Sequence, residues 1–149
     1  MLGYWRNPEA TAATIGPDRF VDTGDVGRVE DGGLLFINSR ARDMILRNAE
    51  NIYPIEVEHR LDQHAQIRES AVYGIEHEDW GQEVKAVVVP EPGSDLDPAE
   101  LSDWCRQTLA GYKVPTSWEI RSEPLPRNPA GKVLKAVLRG TIENTFTDE

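Results

Sequence analysis

Apolar and polar positions along the chain change period several times, and the changes outline the elements. Asn7-Pro8-Glu9 reads as a cap, a proline at the first helical position and an acid in the first turn, so a short helix runs to about Ile15 before Gly16-Pro17-Asp18 ends it. Val26 to Glu30 and Leu34 to Asn38 read as strands joined across Asp31-Gly32-Gly33, which predicts a hairpin. A strand from Asp43 to Arg47, a turn around Asn48-Ala49 and a helix opened by Pro54 and running to about His64 follow. Ile67 to Ile75 and Gln82 to Val89 make two strands around a polar turn, and the unbroken Val87-Val88-Val89 predicts a strand covered on both faces. Asp97-Pro98-Ala99-Glu100 starts a helix that turns Leu101, Trp104, Cys105 and Leu109 inward and stops near Gly111. Trp118 to Ile120 add a strand, Val133 to Leu138 form a helix-competent run, and Thr141 to Phe146 end as a fraying helix or tail.

Composition narrows the function classes. A length of 149 residues gives room for one domain with a real core and not for two full ones. The net charge of -10 weighs against nucleic acid or an anionic membrane as main partner, so anionic ligands must be held by locally placed Lys and Arg. Cys105 is the only cysteine, which excludes an internal disulfide framework and a cysteine-built metal site, and its helix-face neighbours assign it to the core. No signal-like apolar region follows Met1 and no apolar run is long enough to span a bilayer, so the expected compartment is the cytoplasm. His59 and His64 do not stack on one helix face, and His77-Glu78-Asp79 reads as a polar turn, so no metal site is expected. Glu56 and Glu58 suit the dipole of the helix start near them.

Two stretches invite chemistry. In Leu125-Pro126-Arg127-Asn128-Pro129-Ala130-Gly131-Lys132-Val133-Leu134-Lys135, prolines, Asn and Gly make a rigid approach to a lysine that stands where the apolar run begins. A cation at a helix start opposes the macrodipole, so Lys132 either meets an anion there or is a solvated lysine after an ordinary loop. Thr23-Gly24-Asp25 is either a turn at a strand entrance or a carboxylate fixed to accept two hydrogen bonds from neighbouring hydroxyls.

Pro126 through Lys135 resembles the last core motif of the adenylate-forming (AMP-binding) superfamily, which includes acyl-CoA synthetases, aryl-CoA ligases and peptide-synthetase adenylation domains. Ser39-Arg40-Ala41-Arg42-Asp43 and the residues through Glu58 resemble that family's hinge motif in its fatty-acyl-CoA synthetase version, and Thr23-Gly24-Asp25 matches its ribose-binding motif. The three matches occur in family order. The resemblance implies an α+β fold: a small domain with a central three-stranded sheet and flanking helices, preceded by a β-hairpin from the end of a large N-terminal domain. Residues 1–40 would be the tail of that large domain and 41–149 the mobile C-terminal domain.

By the same resemblance, Lys132 is the catalytic lysine that holds the substrate carboxylate and the α-phosphate of ATP, Asp25 grips the ribose hydroxyls, and Arg40 contacts nucleotide phosphate or ribose. Arg42 is the hinge, and Asn48, Ala49 and Glu50 line the channel for the pantetheine arm of coenzyme A. The implied reaction joins a fatty or other carboxylic acid to coenzyme A with magnesium-bound ATP, through an acyl-adenylate. Ser39 and Ala49 stand where the family usually has glycine; a methyl group at 49 is expected to narrow the channel or exclude a positive φ there, unless Asn48 supplies the left-handed residue. The chain carries no phosphate loop, acyl pocket or adenine site, so it is expected to be inactive without a large N-terminal AMP-binding domain. Its hairpin would leave Phe20, Leu35 and Ile37 exposed or buried in a homodimer. An aryl-CoA ligase or peptide-synthetase fragment, and a free-standing module that docks on a separate large domain, are the alternatives.

Overall fold

The computed structural model describes residues 1–143. The chain divides into two compact units, Met1–Arg42 and Asp43–Glu149.

In the first unit, helix α1 (Pro8–Thr14) is capped by Asn7, whose side-chain oxygen accepts from the Ala10 amide at 2.9 Å. Strands β1 (Asp25–Val29) and β2 (Leu35–Arg40) form the expected antiparallel hairpin, with Asp25 opposite Arg40 and Val29 opposite Leu35. The register slips between Val26 and Gly27, and a side chain at Gly27 would place its Cβ 2.5 Å from the Phe36 carbonyl oxygen. Phe20, Leu35 and Ile37 are exposed, and so is Val29.

The second unit is built on a sheet. Strands β5 (Ile67–His77), β6 (Gly81–Pro90) and β7 (Ser117–Ile120) make the expected three-stranded centre, β6 pairing antiparallel with β5 and parallel with β7. A small hairpin of β3 (Ile45–Arg47) and β4 (Glu50–Ile52) joins β6 where Arg47 pairs with Gly81, so the described residues of this unit form one five-stranded sheet. Strand β4 is not visible in the residue pattern because three residues are too few to show an alternation.

Both faces of the sheet are covered, as the valine run implies. Val72, Val84, Ala86 and Val88 face one core with Ile45 and Ile52, and there helices α2 (Pro54–Leu61) and α3 (Pro98–Arg106) contribute Val57, Leu61, Leu101 and Cys105. Ala71, Tyr73, Val87 and Val89 face the other core with Leu125, Val133 and Leu138, the last from helix α4 (Lys135–Leu138). Each fully buried branched side chain is worth about 1.5–3 kcal/mol over exposure. On the first face, the Arg60 guanidinium lies 3.6 Å from the Trp104 ring centroid and donates to the Trp104 carbonyl, while the Trp104 indole N–H returns a bond to the Arg60 carbonyl. That reciprocal contact fastens α2 to α3.

Several boundaries differ from the sequence reading. Helix α2 stops at Leu61 and α3 at Arg106, each earlier than the apolar spacing suggests. Strand β5 runs on through His77, whose Nδ1 accepts the amide protons of Asp79 and Trp80 and closes a shorter turn. Helix α4 begins at Lys135 and not beside Lys132, because Asn128 holds the intervening residues in a loop. Of the tail expected over 141–146, residues 144–146 lie outside the described residues.

Candidate functional site

In the first unit, the entrance to β1 is fixed by short local bonds. The Asp22 carboxylate accepts from the Gly24 amide at 2.8 Å, the Thr23 hydroxyl accepts from the Asp25 amide at 3.2 Å, and the Gly24 carbonyl accepts from the Ala41 amide at 2.9 Å. Asp25 and Arg40, directly opposite in the hairpin, form an ion pair with Nε 2.9 Å from Oδ1. The pair takes one oxygen of Asp25, and a carboxylate has about four acceptor sites in all. An open cleft of about 350 Å3 beside it is lined by Tyr4, Thr14, Thr23, Gly24, Arg40 and Arg42, among others.

Lys132 sits in a stapled loop of the second unit. An antiparallel bridge joins Arg127 to Val133, and the Asn128 amide donates to the Lys132 carbonyl at 3.0 Å. The Asn128 side-chain oxygen accepts from the amides of Ala130 and Lys132, at 3.1 and 2.9 Å. Gly131 has φ +79°, a conformation that a glycine adopts at little cost. The loop therefore fixes the Lys132 backbone while its side chain points away exposed. Lys85, Lys113 and Lys135 are held by Glu119, Glu56 and Glu58, each at 2.7–2.8 Å; among the described residues Lys132 has no such carboxylate. The helix-dipole argument for an anion beside Lys132 loses its basis, since the helix starts three residues later. An uncompensated ammonium on a fixed backbone replaces it.

Asn48, Ala49 and Glu50 are all exposed at the β3–β4 connection. Asn48 and Ala49 both have positive φ, 49° and 63°, so Arg47 and Glu50 are joined by a two-residue turn of the I′ kind. The expectation that the methyl group at 49 excludes a positive φ is corrected here: Asn48 does not stand in for Ala49, and both are left-handed. The turn is anchored by the Asn48 amide, which donates to the Trp80 carbonyl at 3.1 Å. Arg47 lies over the Trp80 ring at 4.2 Å and donates to the Tyr112 carbonyl.

The two motifs of the second unit are far apart. Ile45 and Ile52, which flank the Asn48 turn, belong to the core beneath α2 and α3, whereas Val133, next to Lys132, packs on the opposite face. They also sit at opposite ends of the β5–β6 hairpin: the turn touches Trp80 beside the tip, and the Lys132 loop is tied to Glu69 near the open end. At about 3.3 Å per residue, roughly 26 Å of strand lies between Glu69 and His77.

The sequence model for the AMP-binding enzyme C-terminal domain matches residues 56–132, more than half of the chain. The chain belongs to this family. A dioxo-octahydroindenyl-propanoyl:CoA ligase of Rhodococcus jostii (strain RHA1) is 44% identical over 139 residues, covering 93% of this chain and 27% of the relative. A feruloyl-CoA synthase of an Amycolatopsis species is 45% identical over 139 residues, with 93% and 28% covered. The crystal structure of ATP-bound MatB from Rhodopseudomonas palustris superposes with a TM-score of 0.85 at 37% identity, over 97% of this chain and 29% of that one. The chain thus spans little more than a quarter of these relatives' length.

Within this AMP-binding C-terminal domain, the residues that hold the motifs in place come from distant segments. Glu58 accepts from the Val72 amide and pairs with Lys135, and Glu56, in the first turn of α2 where the helix dipole favours an acid, also pairs with Lys113. Only tertiary pairing reveals these contacts. Asn128 was the exception, an Asx residue ahead of a Pro-Ala-Gly turn. Burial of Cys105 pushes its thiol up to about 11, consistent with a packing role. Among the described residues no group of three or more His, Cys, Asp or Glu side chains is arranged to hold a metal, and no helix is long and apolar enough to cross a membrane.

Proposed function

We propose that this chain is the C-terminal part of an ATP-dependent acid–CoA ligase and supplies a different surface to each half of the reaction. The carrying observation is Lys132, whose ammonium has no carboxylate partner among the described residues while its backbone is held at both N–H and C=O by Asn128. Such a cation can meet the negative charge that develops on the α-phosphate of ATP as the carboxylate attacks, at no cost in breaking an existing ion pair. Asp25 is assigned to the ribose hydroxyls through its remaining acceptor sites, and Arg40 to ribose or phosphate through the nitrogens that do not face Asp25. Among the described residues no group of side chains is arranged to hold the magnesium expected with ATP, so no step is assigned to it.

Coenzyme A is assigned to the turn of Asn48, Ala49 and Glu50. The position of this turn at the far end of β5–β6 and on the other face from Lys132 supports two separate half-reactions. Arg42 is proposed as the hinge, a reading supported by the break between compact units at Arg42 and Asp43. Residues 1–40 are accordingly read as the tail of a large AMP-binding domain, and the exposed Phe20, Leu35 and Ile37 support docking there. Identity is nearly equal to relatives named for an indenyl-propanoyl and a feruloyl acid, at 44% and 45%. The choice of acid, fatty or aromatic, therefore belongs to the large domain.

Pyrophosphate release tests the proposal, measured with ATP, magnesium and a panel of carboxylic acids on this chain alone and after mixing with a large domain from the same source. Silence alone and release on mixing are expected. Release from the chain alone would overturn the proposal.

A further inference from the structure

We infer that Glu69 is a positioning residue for Lys132, acting through Arg127; the inference rests on the role proposed above for Lys132. The Arg127 guanidinium is used as a fork. Its Nη1 donates to the Gly131 carbonyl at 2.8 Å, and its Nη2 donates to Glu69 Oε2 at 2.8 Å. Gly131 directly precedes Lys132, so the peptide that carries the lysine is tied through one planar side chain to the start of β5.

The three parts differ in exposure in a way that suits this role. The Glu69 side chain is 16% exposed and stands on a strand paired along its length with β6, whereas Arg127 is 45% exposed. The loop itself is exposed, and besides this fork its fastenings include the bonds made by Asn128, the Leu134 amide donating to the Pro126 carbonyl at 2.7 Å, the Arg127–Val133 bridge, the packing of Val133 and, just beyond it, the Lys135–Glu58 pair. Glu69 is thus the point at which a side chain of the sheet fixes, through Arg127, the peptide that carries Lys132. An ion pair with one partner half exposed adds little to global stability. Displacement of a catalytic group by about 1 Å can nevertheless cost about 100-fold in rate. Loss of Glu69 is therefore felt in adenylation far more than in folding.

The role predicts a split between half-reactions in the assembled ligase. Glu69→Ala is expected to lower the kcat of pyrophosphate release by about tenfold or more, with KM for ATP changed far less. Thioester formation from a supplied acyl-adenylate stays at the wild-type rate. Glu69→Gln, which keeps an acceptor for Arg127, restores most of the loss, and Glu69→Ala adds nothing to Arg127→Ala. Asp103→Ala, which breaks an exposed pair with Arg106 on α3, changes neither half. Equal loss of both halves in Glu69→Ala would make Glu69 merely structural and overturn the inference. Normal adenylation in Glu69→Ala beside a dead Lys132→Ala would overturn the inference alone, and normal adenylation in Lys132→Ala would overturn it together with the function proposed. In the chain by itself, amide exchange gives a second readout. The Lys132 amide is expected to exchange about tenfold faster in Glu69→Ala while the β5–β6 amides keep their protection; unchanged exchange at Lys132 contradicts the inference.

Discussion

Glu58 and Lys135 meet at 2.8 Å although the helices that carry them, α2 and α4, pack on opposite faces of the sheet. They meet around β5, which among the described residues pairs with β6 on one side only. The same Glu58 oxygen accepts from the Val72 amide at 2.8 Å, so one carboxylate covers part of the open strand edge and ties down the segment that follows Lys132. Both side chains are mostly buried, at 14% and 22% exposure. Lys135→Ala is expected to cost about 1 kcal/mol and Glu58→Ala about 2–3 kcal/mol, since the second also leaves the Val72 amide without an acceptor. Urea denaturation of the two variants checks the order. Equal losses would show that the Val72 bond contributes nothing.

Ala49 occupies a left-handed position at φ 63°, which costs a residue with a Cβ about 1–2 kcal/mol. Replacement by glycine removes that strain and loosens the unfolded chain by somewhat less. Ala49→Gly should therefore stabilise the chain by about 0.5–1 kcal/mol, read as a rise in urea midpoint at constant slope. In the assembled ligase it should speed the thioester half and leave adenylation as it was. A slower or unchanged thioester step would remove the methyl group as an obstacle to the pantetheine arm.

Cys105 is fully buried, and burial raises its thiol from 9.0 to about 11. The neutral thiol is the form the fold prefers. Between those values the unfolded chain has lost the proton and the native chain keeps it, so stability falls as pH rises from 9 to 11, and the contribution is fully present below 9. Cys105→Ser should flatten that part of the stability profile at a cost in overall stability. A thiol reagent at pH 8 should label Cys105 only after denaturant is added. Fast labelling of the native chain would contradict its place in the core.

Much of the fold was legible because its long elements carry strong local signals. The Asn7 and Asp97 caps, each followed by proline, marked two helix starts, and Val87-Val88-Val89 announced a strand covered twice. Of the short elements, β3 and β7 were read, whereas β4 and the start of α4 were not. Strand β4 is defined by pairing with β3, and the start of α4 is set by the Asn128 side chain holding Lys132 three residues back. The candidate site divides along the same line. Asp25, Arg40 and Lys132 could be singled out from motifs, whereas Glu58, Glu69 and Arg47 act through partners more than ten residues away, which no local pattern encodes.

The most direct test of the central claim is the Lys132→Ala variant of the assembled ligase, followed in its two half-reactions. Pyrophosphate release with acid and ATP should fall by about 100-fold to 1,000-fold, while thioester formation from a supplied acyl-adenylate and coenzyme A continues at the wild-type rate. Equal loss in both halves, or undiminished pyrophosphate release, would contradict the assignment of Lys132 to adenylation and of the Asn48 turn to the second step.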